Sequence, residues 1–239
     1  MLELHTFGTV ALRSRDIGES VATLVQPKRL ALLVYLALAP RRRCRRRDQL
    51  VGLFWPDLDG EHARGALNQA VRYLRRSLGY DVVISQGEEE VGLDQNLIWC
   101  DAAAFNAHHD ASEFDRALEV YRGVFLSGFF ADASPEFEQW VEEERNGFRQ
   151  RARTAASTLS EAAEQGGDLK TALHWARRNA AVAPDDESVV ARLILLLDQN
   201  GDRVGALNTY ENLRRRLMEE YGVKPSSETE AVVARIRGR

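Results

Sequence analysis

An α+β domain over residues 1–100, followed by an all-α helical-repeat domain over residues 101–239, is predicted by three features of the sequence. Short β-prone runs are confined to the first hundred residues. The segment Arg64 to Gly79, RGALNQAVRYLRRSLG, sorts into an apolar and a basic face at 3.6 residues per turn. Beyond residue 165 the chain repeats itself at an offset of 34 positions.

The bounds are consistent with that division. A chain of 239 residues suits about two domains, each able to bury its own core. With 44% hydrophobic and 28% charged residues, the composition is that of an ordinary globular protein. The net charge of −4 conceals an uneven distribution: between Lys28 and Arg76 there are twelve bases and four acids, an excess of +8. Such a local excess in a mildly acidic chain is the electrostatic footprint of a polyanion-binding surface. Cys44 and Cys100 lie far apart with no zinc-ligand spacing around them, which fits a reduced, cytoplasmic chain. The start, MLELHTFGTVAL, has no basic segment leading into a long apolar one, and no run approaches the length needed to span a bilayer, so neither export nor a membrane partner is expected.

Taken in order, residues 2–12 alternate weakly and residues 21–25 are β-prone, giving a small N-terminal sheet with a turn near Asp16 to Gly18. Pro27 opens a buried helix, KRLALLVYLALA, that ends before Pro40. The run Arg41 to Arg47, RRRCRRR, spans a loop and the start of a helix over Arg47 to Trp55, in which Leu50, Leu53 and Phe54 face inward. Pro56, Asp57, Asp59 and Gly60 break the chain before the amphipathic helix. There Leu67, Ala70, Val71, Leu74 and Leu78 form the apolar stripe. Arg64, Asn68, Gln69, Arg72, Arg75 and Arg76 form the other face, with side chains suited to base edges and phosphates. Val82 to Ser85 and Glu90 to Leu93 then make a hairpin hinged at Gln86 and Gly87. Three helices followed by a hairpin, the third helix basic and amphipathic, is a winged helix-turn-helix, which presents its third helix to the major groove.

From Asp101 helical patterns run to the end. Gly167-Asp168 with Ala172-Leu173 recurs as Gly201-Asp202 with Ala206-Leu207, at the tetratricopeptide period. Ala117-Leu118 with Tyr121 resembles Ala206-Leu207 with Tyr210, an earlier and more divergent unit, while Pro184 and Pro225 close successive repeats. A stack of this kind buries a core without making a catalytic cleft, and binds partners on a concave face.

Together these segments resemble the bacterial regulators of the antibiotic regulatory protein type, which join an OmpR-like winged helix to a bacterial transcriptional activator domain. The likeness covers nearly the whole length. It rests on PKRLALLVYLAL, RRDQLVGLFWPD and ALNQAVRYLRRSLG in the first half, and on ALEVYRGVFLSGF, EFEQWVEEER and YENLRRRLMEEYGVKPSSET in the second. The resemblance implies an activator that reads promoter repeats, with a helical domain for dimer formation or contact with RNA polymerase. It places Asn68, Gln69, Arg72 and Tyr73 at base or phosphate contacts, with Arg75 and Arg76 toward the backbone. Arg64 lies on the same face, and Lys28, Arg29, Arg45, Arg46 and Arg47 are expected to hold phosphates. The wing departs from the pattern: Glu88, Glu89 and Glu90 put acids at its tip, so it either stays off DNA or touches a protein.

Other constellations carry less. His108 and His109 beside Asp110 point in different directions on a helix, Glu142 to Glu144 lie on a polar face, and Trp99, Trp140 and Trp175 read as core. No phosphate-binding glycine loop, metal set or nucleophile with its base is present, so no cofactor and no enzymatic activity are expected. The alternative to a promoter-binding regulator is a protein-interaction scaffold built on the helical repeats, with the winged helix as a docking surface.

Overall fold

The computed structural model describes residues 1–14, 26–39 and 44–238. The strand expected at 21–25, the turn at Asp16 to Gly18, Pro40 and Arg41 to Arg43 lie outside the described residues. Packing divides the chain into two compact units, Met1–Ser112 with Glu119–Phe148, and Glu113–Leu118 with Arg149–Arg239.

In the first unit, β1 (Leu2–His5) and β2 (Ala11–Ser14) pair antiparallel, with buried Leu4 opposite buried Leu12. The helix α1 (Pro27–Ala37) starts at the predicted proline and buries Leu32, Leu33, Val34 and Leu36. A two-residue strand, β3 (Arg45–Arg46), leads directly into α2 (Arg47–Phe54), which buries Leu50 and Phe54. Next come α3 (Gly60–Leu78) and a hairpin of β4 (Val83–Gln86) and β5 (Glu90–Leu93), turning at Gly87, whose φ is +60°. A short strand β6 (Ile98–Cys100) and the helix α4 (Asp101–Asp110) follow.

Two strands were not foreseen, β3 and β6, because two or three residues are too few to show a period. Both complete sheets. The strand β6 pairs parallel to β1, giving the order β2-β1-β6, and β3 pairs with β5 to give β3-β5-β4. In the second sheet a Cβ at Gly92 would lie 2.8 Å from the Cys44 sulfur, so a larger residue there would require Cys44 to shift.

Asp101 ties the first sheet to α4. Its buried carboxylate accepts from the Thr6 amide at 2.8 Å, the Thr6 hydroxyl at 2.6 Å, the Phe7 amide at 3.1 Å and the Ala102 amide at 2.8 Å. A carboxylate at a helix N-terminus with this many donors is a satisfied buried charge. Beside it the Phe7 ring meets Phe148 at 5.1 Å, Phe105 at 5.7 Å and Phe125 at 6.4 Å, mostly edge to face. Residues beyond 100 therefore help to fill the core of the unit that contains the winged helix. Tyr121 joins this cluster, 4.9 Å from Phe7, although its sequence pattern resembles the repeat that contains Tyr210.

The second unit holds the repeat. The helices α5 (Phe114–Val120) and α6 (Pro135–Gln165) contribute their parts to it, and α7 (Leu169–Val182), α8 (Glu187–Gln199), α9 (Arg203–Tyr221) and α10 (Ser227–Arg237) complete it. The offset of 34 has a structural cause: Gly167 and Gly201 take φ of +77° and +80°, and the next residue caps a helix each time. Asp168 accepts from the Thr171 amide and Asp202 from the Gly205 amide. Ala172, Leu173, Ala206 and Tyr210 lie in one core cluster with Leu193, Ile194 and Leu213. The tryptophans are less enclosed than expected. Trp99, Trp140 and Trp175 are half-buried, since an indole is large enough that it is rarely enclosed completely.

Candidate nucleic-acid interface

The helix α3 begins at Gly60, four residues ahead of the predicted start, so Gly60 opens the helix instead of breaking the chain. The cause is Asp59. Its carboxylate accepts from the amides of Glu61 at 3.1 Å and His62 at 3.0 Å and sits 2.7 Å from His62 Nδ1. The backbone and ring of His62 hold the Asp59 carboxyl below its ordinary range. At the far end the helix stops at Gly79, where φ is +109°.

One face of α3 is buried: Ala63, Leu67, Ala70, Val71, Leu74 and Leu78, which includes every residue of the predicted stripe. On the opposite face Arg64, Asn68, Gln69, Arg72 and Arg76 are exposed. Among the described residues, Arg72 and Arg76 have no carboxylate partner, whereas Arg64 lies 3.9 Å from Asp48.

Most of the remaining predicted residues are already engaged. Arg75 is half-buried and donates through Nε to the Val83 carbonyl at 3.1 Å and through Nη2 to the Ser85 hydroxyl at 2.8 Å, which fastens α3 to β4. Tyr73 is half-buried under the Arg29 guanidinium, 3.9 Å from its ring centre. Arg45 rests 4.5 Å from the centre of the Tyr35 ring. Arg47 donates through Nη1 to Asn68 Oδ1 at 2.9 Å, and its backbone amide donates to the Glu89 carbonyl at 2.8 Å. Burial, with the nearby Arg75 charge, lowers the Arg47 pKa. Arg46 is exposed, 3.8 Å from Asp48, and Lys28 is half-buried.

Tyr35, Val83 and Ser85, which hold these arginines, were not singled out in the sequence. A neutral residue reveals no such role until the fold brings a guanidinium to it. The acids of the wing separate: Glu88 and Glu89 are exposed at the tip, while Glu90 is half-buried and faces Arg46 across the β3–β5 pair.

Both cysteines are held toward the thiol form. Burial and then Asp101 push the Cys100 thiol up to about 12, and burial with Glu90 raises that of Cys44. Among the described residues no group of His, Cys, Asp and Glu could hold a metal ion, and no helix is long and apolar enough to cross a membrane.

Residues 100–237 match the family described as the bacterial transcriptional activator domain. The chain belongs to that family. It is a transcriptional regulator that carries this activator domain, with an N-terminal α+β winged helix-turn-helix followed by an all-α repeat. Among solved structures it is similar to EmbR of Mycobacterium tuberculosis in complex with a low affinity phosphopeptide, with a TM-score of 0.63 and 20% sequence identity. That likeness takes in 99% of this chain and 65% of EmbR, so the regulator spans about two thirds of the length of the protein it matches. No curated protein sequence matches it.

Proposed function

We propose that this regulator is a cytoplasmic, sequence-specific DNA-binding activator, without enzymatic activity. In this reading residues 1–100 bind double-stranded promoter DNA, and residues 101–239 form a homodimer or contact RNA polymerase. The helix α3 lies in the major groove with Asn68, Gln69 and Arg72 at base edges, and Arg64 and Arg76 beside the phosphates. Lys28, Arg29 and Arg46 hold the flanking backbone. The observation that carries this reading is the exposed face of α3, where Arg72 and Arg76 have no carboxylate partner among the described residues, on a helix whose other face is docked. An unneutralised guanidinium on a rigid helix is preorganised for a groove.

The test is binding to fragments from upstream of its own gene and neighbouring operons, followed by fluorescence anisotropy at two salt concentrations with excess competitor DNA. A promoter reader retains one fragment through the competitor, and log affinity falls with log salt by about 0.9 for each phosphate neutralised. Uniform weak binding to every fragment would refute it. The exposed Glu88 and Glu89 favour a second reading for the wing alone, as a contact to protein, since two carboxylates at a hairpin tip are repelled by a phosphate backbone.

A further inference from the structure

Arg47 stands in the sequence as one more base of an arginine run, but the fold gives it a different neighbour. Its Nη1 donates to Asn68 Oδ1 at 2.9 Å, from α2 across to the exposed face of α3. A guanidinium has donors and no acceptor, so the amide oxygen must be the atom that faces it. The Asn68 Nδ2 group consequently faces the other way, and no described residue accepts from it. Arg47 is itself constrained. Its amide is bonded to Glu89, its side chain is half-buried, and the like charge of Arg75 is pinned nearby by Val83 and Ser85.

We propose that Arg47 is a positioning residue and not a phosphate contact: it turns the Asn68 amide so that donors face the groove. Asn68 then reads a base that presents an acceptor there, such as N7 or O6 of guanine or O4 of thymine, and disfavours cytosine, whose edge offers a donor. This rests on the reading of α3 as the base-reading helix.

The experiment is selection of binding sites from a randomised duplex library by the purified full chain, followed by anisotropy titrations on the selected site and its single-base variants. Wild type is expected to enrich a motif with one position depleted in cytosine. Asn68→Asp keeps an acceptor toward Arg47 and replaces the outward donor with an acceptor, so at that position alone the preference moves to cytosine or adenine, which present amino donors. Arg47→Gln is expected to reduce discrimination at the same position by roughly tenfold, with the salt dependence unchanged. In an Asn68→Ala background the Arg47 substitution should have no further effect beyond about twofold, because it acts through that amide.

An Arg47→Gln protein that weakens on all sequences alike, with a salt slope shallower by about one, would make Arg47 a phosphate contact and overturn the inference while the DNA-reading function stood. Asn68→Asp is an exposed substitution, so it carries the test even if Arg47→Gln lowers the thermal midpoint. Unchanged preference in that variant also overturns the inference. No enriched motif for wild type would remove the DNA-reading function, and the inference with it.

Discussion

Two helices of nineteen residues carry arginine runs in nearly the same words, Leu74-Arg75-Arg76 in α3 and Leu213-Arg214-Arg215-Arg216 in α9. In α9 each arginine of the run has an acceptor, and two of the three acceptors are carboxylates. Arg214 bonds to Glu211 at 2.9 Å, Arg215 to Asn212 at 2.9 Å and Arg216 to Asp185 at 3.3 Å. In α3 the partners of Arg75 are a carbonyl and a hydroxyl, which leave its charge intact, and Arg72 and Arg76 have no carboxylate among the described residues. A run of arginines is thus not by itself a positive field. The field depends on whether acids reach the run, as Glu211 in the preceding turn and Asp185 from before α8 do in α9, and as none does for Arg72 and Arg76 among the described residues.

The comparison can be tested from its strongest consequence downward. Both helices dock through a leucine that is almost fully enclosed, Leu74 and Leu213, so alanine at either should cost about 2–5 kcal/mol in urea unfolding. A cost under about 1 kcal/mol at Leu74 would mean that α3 is not anchored and that its exposed face is not a fixed surface. The two helices should part company in DNA binding. Arg72→Ala is expected to lose roughly 1–3 kcal/mol of affinity for a cognate duplex, whereas Arg214→Ala leaves it unchanged. Equal losses at both positions would erase the distinction between the two helices.

A smaller effect concerns acid. Burial raises the Asp186 carboxyl, but the Ser188 hydroxyl and amide, the Val189 amide and the Arg153 charge outweigh it and hold the folded value below the ordinary one. A depressed carboxylate stabilises the fold above its unfolded pKa of about 4, and that contribution disappears as the pH falls through the folded value. Loss of the cap in Asp186→Ala should cost about 1 kcal/mol at pH 7. Asp186→Asn, which keeps a capping oxygen, should instead flatten the fall of the thermal midpoint as the pH drops below about 4, the direction set by that depressed pKa. An unchanged acid limb in that variant would remove Asp186 as its source. The smallest effect is expected at Arg216→Ala, within about 0.5 kcal/mol, because a partly exposed ion pair contributes little stability even where it cancels a charge. A loss well above that in thermal unfolding would make the Arg216–Asp185 pair structural.

Local rules made much of this protein readable before its fold was known. The order of helices and hairpin, the docked stripe of α3, and the caps that set the period of 34 all depend on residues within a turn or two of one another. The exposed half of the candidate site was legible for the same reason, since helical periodicity alone puts Arg64, Asn68, Gln69, Arg72 and Arg76 together. The start of α3 at Gly60 was obscured because glycine is read as a breaker unless the Asp59 cap is recognised.

What the sequence by itself determined was which faces are apolar, which are charged, and where the chain turns. Only the tertiary structure decided which of the basic side chains already have a partner. Arg75 is taken up by β4, Arg45 by Tyr35, Arg29 by Tyr73 and Arg47 by Asn68, and residues beyond 100 fill the aromatic core around Phe7. The physical reason is that a guanidinium is satisfied by any acceptor or ring that packing brings within a few ångströms, and such neighbours are set by the meeting of elements and not by spacing along the chain.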